Sequence, residues 1–352
     1  MKGSRQIRRG EAILAGRLLG IINSSWMSQA IYVAARLELA EHLAQGPRTA
    51  AELAAVTNSN EPALYRLLRA LTTLSICEQR SDGTFAMTAL GALLGSESSC
   101  SVRSWAMQWG GSSWWTLWGH LYESVKTGNS ARSLLSATEG FDDLKTDVAG
   151  ARIFNDAMVE LTRLVALNVV QVYDFRGKRV VDVGGGYGEL LAVILEACGD
   201  ARGILFDLPH AIAEARRRFA ERNLTERCEF IEGDFFRKVP AGADVYVLKT
   251  VIHDWNDDNS RSILQTCRRA MRSDSRLLLV ERIMPPRLGR TPEHQALAHS
   301  DLNVLVGLGA PERTEAQFDR LLEGSGLRKR GQQNAGPMFA IIEAEVEPSS
   351  QA

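Results

Sequence analysis

From Ile13 to about Trp118 the apolar residues recur three and four positions apart, with few of the β-branched runs that mark strands, so this half is expected to be mainly helical. Within it, Thr49-Ala50-Ala51-Glu52 reads as a capping box that opens a short helix, and Asn60 to Leu74 as a second helix after the polar turn Thr57 to Asn60. Ser75 to Arg80 and Thr84 to Thr88 flank Ser81-Asp82-Gly83, whose Asp-Gly pair favours a tight turn, and they predict a hairpin. Helix, turn, helix and hairpin make a winged-helix pattern. Gly128 to Glu139 is polar and reads as a loop before a helical run from Asp147 to Val172.

After Phe175 the pattern changes. Short apolar runs at Arg179 to Val183, Gly203 to Phe206, Glu229 to Ile231, Val245 to Leu248 and Arg276 to Val280 alternate with helical stretches. That alternation predicts a parallel, doubly wound α/β sheet with ligands at the carboxyl ends of its strands. The last two runs, near Leu327 to Gln332 and Met338 to Ala344, are joined by a link too short for a helical crossover and should pair antiparallel. Three regions are expected: 1–100 helical and winged-helix-like, 101–175 a helical connector contributing to a pocket, and 176–352 the α/β domain.

Charge and cysteines narrow the partners. The 352 residues carry a formal net charge of -1, so no global field draws the protein to nucleic acid or membrane. The second helix of the winged-helix pattern offers only Arg66 and Arg69 amid Leu67, Leu68, Leu71 and Leu74, which favours packing or dimerisation over DNA binding. Five scattered cysteines without C-x-x-C spacing argue against a disulfide framework or zinc cage and suit a reducing, cytoplasmic setting. The basic start and the apolar run Ala12 to Ile22 superficially resemble a signal peptide, but Arg17 interrupts the run and an amphipathic helix is expected. Trp105, Trp109, Trp114, Trp115 and Trp118 hold five of the seven tryptophans; a helical core or subunit interface is the favoured reading, an aromatic ligand site the alternative.

The segment Val180-Val181-Asp182-Val183-Gly184-Gly185-Gly186-Tyr187-Gly188-Glu189 is a buried strand running into a glycine turn and then an apolar helix. A dinucleotide fingerprint would have a third glycine where Glu189 stands, and an acidic residue there repels a pyrophosphate. Asp207 ends the second strand about twenty residues on, placed to accept from ribose hydroxyls. The third strand is followed by Glu232-Gly233-Asp234-Phe235-Phe236, which offers a carboxylate for an adenine amino group and an aromatic ring to cover its face. In this order they describe a nucleoside site without a phosphate site, which points to S-adenosylmethionine.

Behind that turn, Leu248-Lys249-Thr250-Val251-Ile252-His253-Asp254-Trp255 and Gly309-Ala310-Pro311-Glu312-Arg313-Thr314 resemble the signatures of the small-molecule O-methyltransferases of the caffeate and bacterial polyketide-tailoring type, over nearly the full length. The resemblance implies a Rossmann-like class I methyltransferase sheet with an antiparallel last strand, preceded by a mainly α, winged-helix-like domain that forms a homodimer. It implies His253 as general base oriented by Glu281 and Glu312, and cofactor contacts from Gly184, Gly186, Asp207, Leu208, Asp234, Phe235 and Lys249. Phe154 and Met158 are then candidate pocket walls, with Asp254 and Trp255 as further contacts to the acceptor. Phe235 stands where the family usually has Met, Thr250 where Trp is common, and Ala310-Pro311 replaces Gly-Lys.

The residues themselves support this chemistry. His253 follows a strand's carboxyl end, and a histidine near pKa 6.5 takes the proton of a phenol that is otherwise a poor nucleophile. Glu281, ending the next strand, is expected to hold the other imidazole nitrogen. Glu293, His294, His299 and Asp301 have no metal spacing and read as structural or rim residues, so no metal is expected. The expected activity is methyl transfer from S-adenosylmethionine to a hydroxyl of a small aromatic acceptor such as a polyketide, a nitrogen acceptor being open. Alternatives are a hydroxylase or decarboxylase of the same fold, and a winged-helix regulator that senses a nucleoside ligand.

Overall fold

A computed structural model describes residues 9–136, 141 and 147–348. The chain forms two compact units, Met1–Ser112 and Ser113–Ala352. In the first, α1 (Arg9–Ile22), α2 (Ser24–Arg36) and α3 (Leu39–Ala44) precede α4 (Ala50–Thr57), α5 (Glu61–Thr73), the hairpin β1 (Cys77–Gln79) and β2 (Phe85–Met87), and α6 (Arg103–Gly110). The expected capping box is formed: Thr49 Oγ1 accepts from the Glu52 amide while Glu52 reaches back to the Thr49 amide at 2.7 Å. Asn60 caps α5 in the same way, its Oδ1 accepting from Ala63. Leu53, Leu68, Leu71 and Phe85 close the core of this unit. Along α1 and the start of α2, Ile13, Leu14, Leu18, Leu19, Ile22 and Trp26 are exposed.

The second unit starts with α7 (Ser112–Gly119), α8 (Leu121–Thr127), α9 (Ala131–Leu135) and the long α10 (Val148–Val172). There follow β3 (Arg179–Val183), α11 (Glu189–Ala197), β4 (Arg202–Asp207), α12 (Pro209–Glu221), β5 (Cys228–Glu232), β6 (Val245–Lys249), α13 (Asp257–Ala270), β7 (Arg276–Glu281), α14 (Pro292–Leu308), α15 (Glu315–Glu323), β8 (Leu327–Asn334) and β9 (Ala340–Val346). Sheet order is β5-β4-β3-β6-β7-β9-β8. The first five neighbours run parallel, β9 runs antiparallel to β7, and β8 antiparallel to β9, as the short link predicts. Val180, Leu205 and Val247 face one helical layer, Val181, Ile204 and Tyr246 the other. Burial on both faces is why these strands read as continuous apolar runs.

Strand order reverses between β3 and β6, which leaves a crevice outside their carboxyl ends. Local boundaries differ from the expectation where side chains reach the backbone. Ser130 Oγ accepts from the Ser133 amide at 3.0 Å and starts α9 inside the expected loop; residues 137–139 of that loop lie outside the described residues, as do Met1 to Arg8. No helix is long and apolar enough to cross a membrane.

Candidate active site

The glycine turn follows from the strand that feeds it. β3 runs buried into Gly184, and Gly184, Gly186 and Gly188 take φ of +68, +58 and +79°, the left-handed region that only glycine enters freely. A Cβ on Gly184 would stand 3.1 Å from Val251 Cγ2 and 3.3 Å from Phe235 Cε1, so the turn is a cradle a side chain would fill. Asp207, at the end of β4, ties the turn down: its Oδ2 accepts from the Gly186 amide at 2.7 Å and its Oδ1 from the Leu208 amide at 2.6 Å. Each oxygen keeps a second lone pair for a ligand hydroxyl. Asp234 Oδ1 accepts from the Phe236 amide at 2.8 Å, which brings Phe235 to the rim of the turn. The residues present therefore fit a nucleoside carrying an amino-acid tail. Beneath the turn Asp182 is buried with Oδ2 unpartnered among the described residues; burial pushes its carboxyl up to about 7, against the pull of Lys249.

The neighbouring strand leads to His253. After β6 the chain turns at Thr250, whose φ of +50° is an uncommon conformation for a β-branched residue and costs about 1–3 kcal/mol. Thr250 Oγ1 donates to the Lys249 carbonyl at 2.7 Å, and its amide donates to Val280 at 3.1 Å. The bend delivers a single helical turn, Ile252–Asp254, that carries His253. Here the structure corrects the role expected of Glu281. Its Oε1 accepts from the amides of Val251 and Ile252 at 3.1 and 2.9 Å, so it fixes the backbone beneath His253 and leaves the imidazole to another group. Arg313, fully buried, holds the other side of the turn by donating to the carbonyls of Ile252 and Trp255 at 2.8 and 2.6 Å.

The imidazole is held by Glu312. His253 Nδ1 lies 3.2 Å from Glu312 Oε1, which also accepts from Ser300 Oγ at 2.7 Å and has Arg282 Nη1 at 3.7 Å. The other nitrogen, Nε2, faces Asp254 Oδ1 at 3.2 Å. Burial alone would lower the His253 pKa; the Asp254 and Glu312 carboxylates overcome it and hold the imidazole up at about 9. Burial likewise pulls Lys249 down to about 8, its Nζ donating to Thr250 Oγ1 at 3.0 Å and lying over the Phe339 ring, so these side-chain partners flank β6 and β9 rather than the glycine turn.

An aromatic wall joins the two parts. Phe154 on α10 packs on Phe141 with centroids 5.5 Å apart, Phe141 on Trp255 at 6.2 Å, and Trp255 edge-on to Phe235 and Phe236 at 6.1 and 4.8 Å. Met158, one turn beyond Phe154, shares its face of the helix and is half-buried. These residues form one wall in the structure; Ser300 lies outside the sequence reading, and Asn155, next to Phe154, carried no assigned role in it. Asn155 is buried and donates Nδ2 to Ala151, with Oδ1 turned toward Gly186. Ser300 is detectable only as a polar position on a half-apolar helix. Arg313 stood in a quoted motif without an assigned role.

Comparison with known proteins gives the family. The O-methyltransferase domain family matches residues 118–328 and the O-methyltransferase dimerisation domain family residues 19–97. The phenazine O-methyltransferase PhzM of Lysobacter antibioticus is 39% identical over 338 residues, covering 96% of this chain and 98% of the relative. The mitomycin biosynthesis 6-O-methyltransferase of Streptomyces lavendulae is 39% identical over 314 residues, 88% of this chain and 87% of the relative. The crystal structure of LaPhzM superposes with a TM-score of 0.90 at 38% identity, covering 95% of this chain and 99% of that one. The aclacinomycin 10-hydroxylase RdmB of Streptomyces purpurascens is 33% identical over 338 residues, 92% of this chain and 90% of the relative. With these family models spanning residues 19–97 and 118–328 and relatives 39% identical over nearly the whole chain, this chain belongs to the S-adenosylmethionine-dependent O-methyltransferases.

Proposed function

We propose that this enzyme methylates a hydroxyl of a small aromatic secondary metabolite, with His253 as general base. The observation that carries the reading is the buried His253–Glu312 pair at the carboxyl end of β6, beside the aromatic wall and the glycine cradle. Glu312 accepts from Nδ1 and fixes the tautomer that leaves Nε2 facing the acceptor. When bound, S-adenosylmethionine supplies an electrophilic methyl group on sulfur. The protein's part is to place the acceptor oxygen in line with that methyl and to take its proton. An imidazole held near 9 is close to a phenol near 10, so proton transfer costs little at the moment of attack.

The cofactor is assigned to Gly184 and Gly186 for its amino-acid tail, Asp207 and Leu208 for the ribose, and Asp234 and Phe235 for the adenine. Lys249 supports it from beneath by balancing Asp182. Phe154, Met158 and Trp255 form the acceptor's walls, and Asp254, 3.2 Å from Nε2, is a further contact for the acceptor beside the base. The exposed apolar stripe from Ile13 to Trp26 is assigned to a homodimer contact, since it borders the segment matching the dimerisation family. Five unpaired thiols suit a reducing cytoplasm.

The test is labelled methyl transfer from S-adenosylmethionine to a panel of phenols and hydroxyquinones, with His253→Ala beside wild type. Loss of at least about a hundredfold in transfer, with cofactor affinity kept, is the expected result for a lost general base. The hydroxylase relative makes oxidation the specific second reading: tight cofactor binding, no methylated product and an oxidised acceptor would install it instead.

A further inference from the structure

Strand β7 ends at Glu281, Arg282 follows it, and both are buried. The place of Glu281 is explained by the two amides it accepts from. Arg282 has no such explanation: its Nε has no hydrogen-bond partner among the described residues. What surrounds its guanidinium is an anion and a ring. Nη1 lies 3.7 Å from Glu312 Oε1, and Cζ stands 4.8 Å from the centroid of the Phe339 ring. The same Glu312 oxygen lies 3.2 Å from His253 Nδ1.

A guanidinium carries five N–H donors, and taking it out of water is costly when they go unused. An apolar side chain of similar volume would fill this space at least as well, since such replacements of buried charge are often neutral or stabilising. What Arg282 adds over methionine is a positive charge that is effectively always present. The Phe339 ring holds that charge in place by cation–π attraction.

The charge acts on the groups around the base. Three carboxylates face the imidazole: Asp254 from its own turn, Glu312 from the segment before α15, and Glu281 from the end of β7. The same three attract Arg282, against the burial that pushes its pKa below the ordinary guanidinium value. Lys249, ending β6, adds a second cation with Nζ 5.9 Å from the centroid of the Phe339 ring. Asp301 on α14 stands behind Glu312, accepting from its amide at 2.8 Å. With one proton the His253–Glu312 pair is neutral; without it the pair carries one negative charge. A neighbouring cation therefore favours loss of that proton, whichever partner holds it.

We infer that Arg282 is a positioning residue for the base: acting through Glu312, its fixed charge offsets the carboxylates around His253 and keeps the imidazole free to take a proton from the acceptor. The inference rests on the proposed role of His253 and deepens it by naming what keeps that base from being saturated.

The test reads His253 directly, apart from turnover. The imidazole is titrated by NMR in protein labelled with 15N-histidine and saturated with S-adenosylhomocysteine, its signal identified by its absence in His253→Ala. Arg282→Met removes the charge and keeps the bulk; Arg282→Gln removes the charge and keeps a donor, and serves if the first variant fails to fold; Arg282→Lys keeps the charge. Both neutral variants should titrate about one pH unit or more above wild type, and Arg282→Lys within about half a unit of it. The acid limb of kcat/KM, measured with any acceptor that the panel of phenols and hydroxyquinones yields, should move up by the same amount. Loss of packing alone would lower Tm without moving the titration. A His253 midpoint that is unchanged or lowered in a folded neutral variant overturns the inference. A raised midpoint with an acid limb that stays in place would leave the inference standing and instead remove His253 as the base.

Discussion

Replacing Glu312 by Gln tests the base most directly. The change keeps the shape of the side chain and an oxygen for Ser300 and His253, and it removes one negative charge 3.2 Å from Nδ1. A carboxylate at that distance in a buried site raises an imidazole by about 1–3 pKa units, so its loss should bring His253 down from about 9 by about 1–2 units. The sign follows from the role. A base works when deprotonated, so kcat/KM of the wild type falls as pH drops below the elevated pKa, and in Glu312→Gln that fall begins at lower pH. Above both pKa values the variant is still slower, because the imidazolium formed during attack loses a charge-assisted hydrogen bond of about 1.5–3 kcal/mol. That corresponds to a roughly 10- to 150-fold lower kcat. The assay is steady-state methyl transfer from pH 6 to 10, with cofactor affinity measured by titration as the control. An unchanged acid limb together with kcat within about twofold of wild type would refute the assignment of His253 and Glu312 as a unit.

Two further perturbations separate holding the backbone from doing the chemistry. Glu281→Gln keeps an oxygen for the amides of Val251 and Ile252, so kcat should fall less than about tenfold; Glu281→Ala strands two buried amides at about 1–3 kcal/mol each, visible as a lowered Tm. Gly184→Ala and Gly242→Ala both force alanine into a left-handed backbone costing roughly 1–2 kcal/mol, but a Cβ on Gly242 meets nothing within 4 Å. Isothermal titration should find S-adenosylmethionine bound at least about tenfold more weakly only by Gly184→Ala; equal losses in both would remove the turn from the cofactor site.

What the sequence disclosed depended on range. β3, its glycine turn and Asp207 lie within a short stretch, and their spacing alone outlines a nucleoside cradle. The antiparallel return of β9 is legible from the length of a link. The partner of the imidazole is not, because it depends on where a strained bend at Thr250 points a single turn of helix: Glu281 ends the adjacent strand yet meets amides, while Glu312 reaches Nδ1 from a segment 59 residues further along the chain. Ser300 was hidden for a related reason. On a helix with apolar residues on every side, one polar position carries no signal until the element it faces is known.

The shared face of α14 has an evolutionary consequence. Ser300 and Gly307 are bound by what they touch, one by the Glu312 carboxylate beside His253 and the other by an indole seated where a side chain would be. Asn303, between them, accepts from the Trp118 indole at 3.1 Å and so pins α14 to α7. Sequence drift along α14 should therefore be slower on this face, where each change disturbs a carboxylate or an indole, than on the side turned away from it.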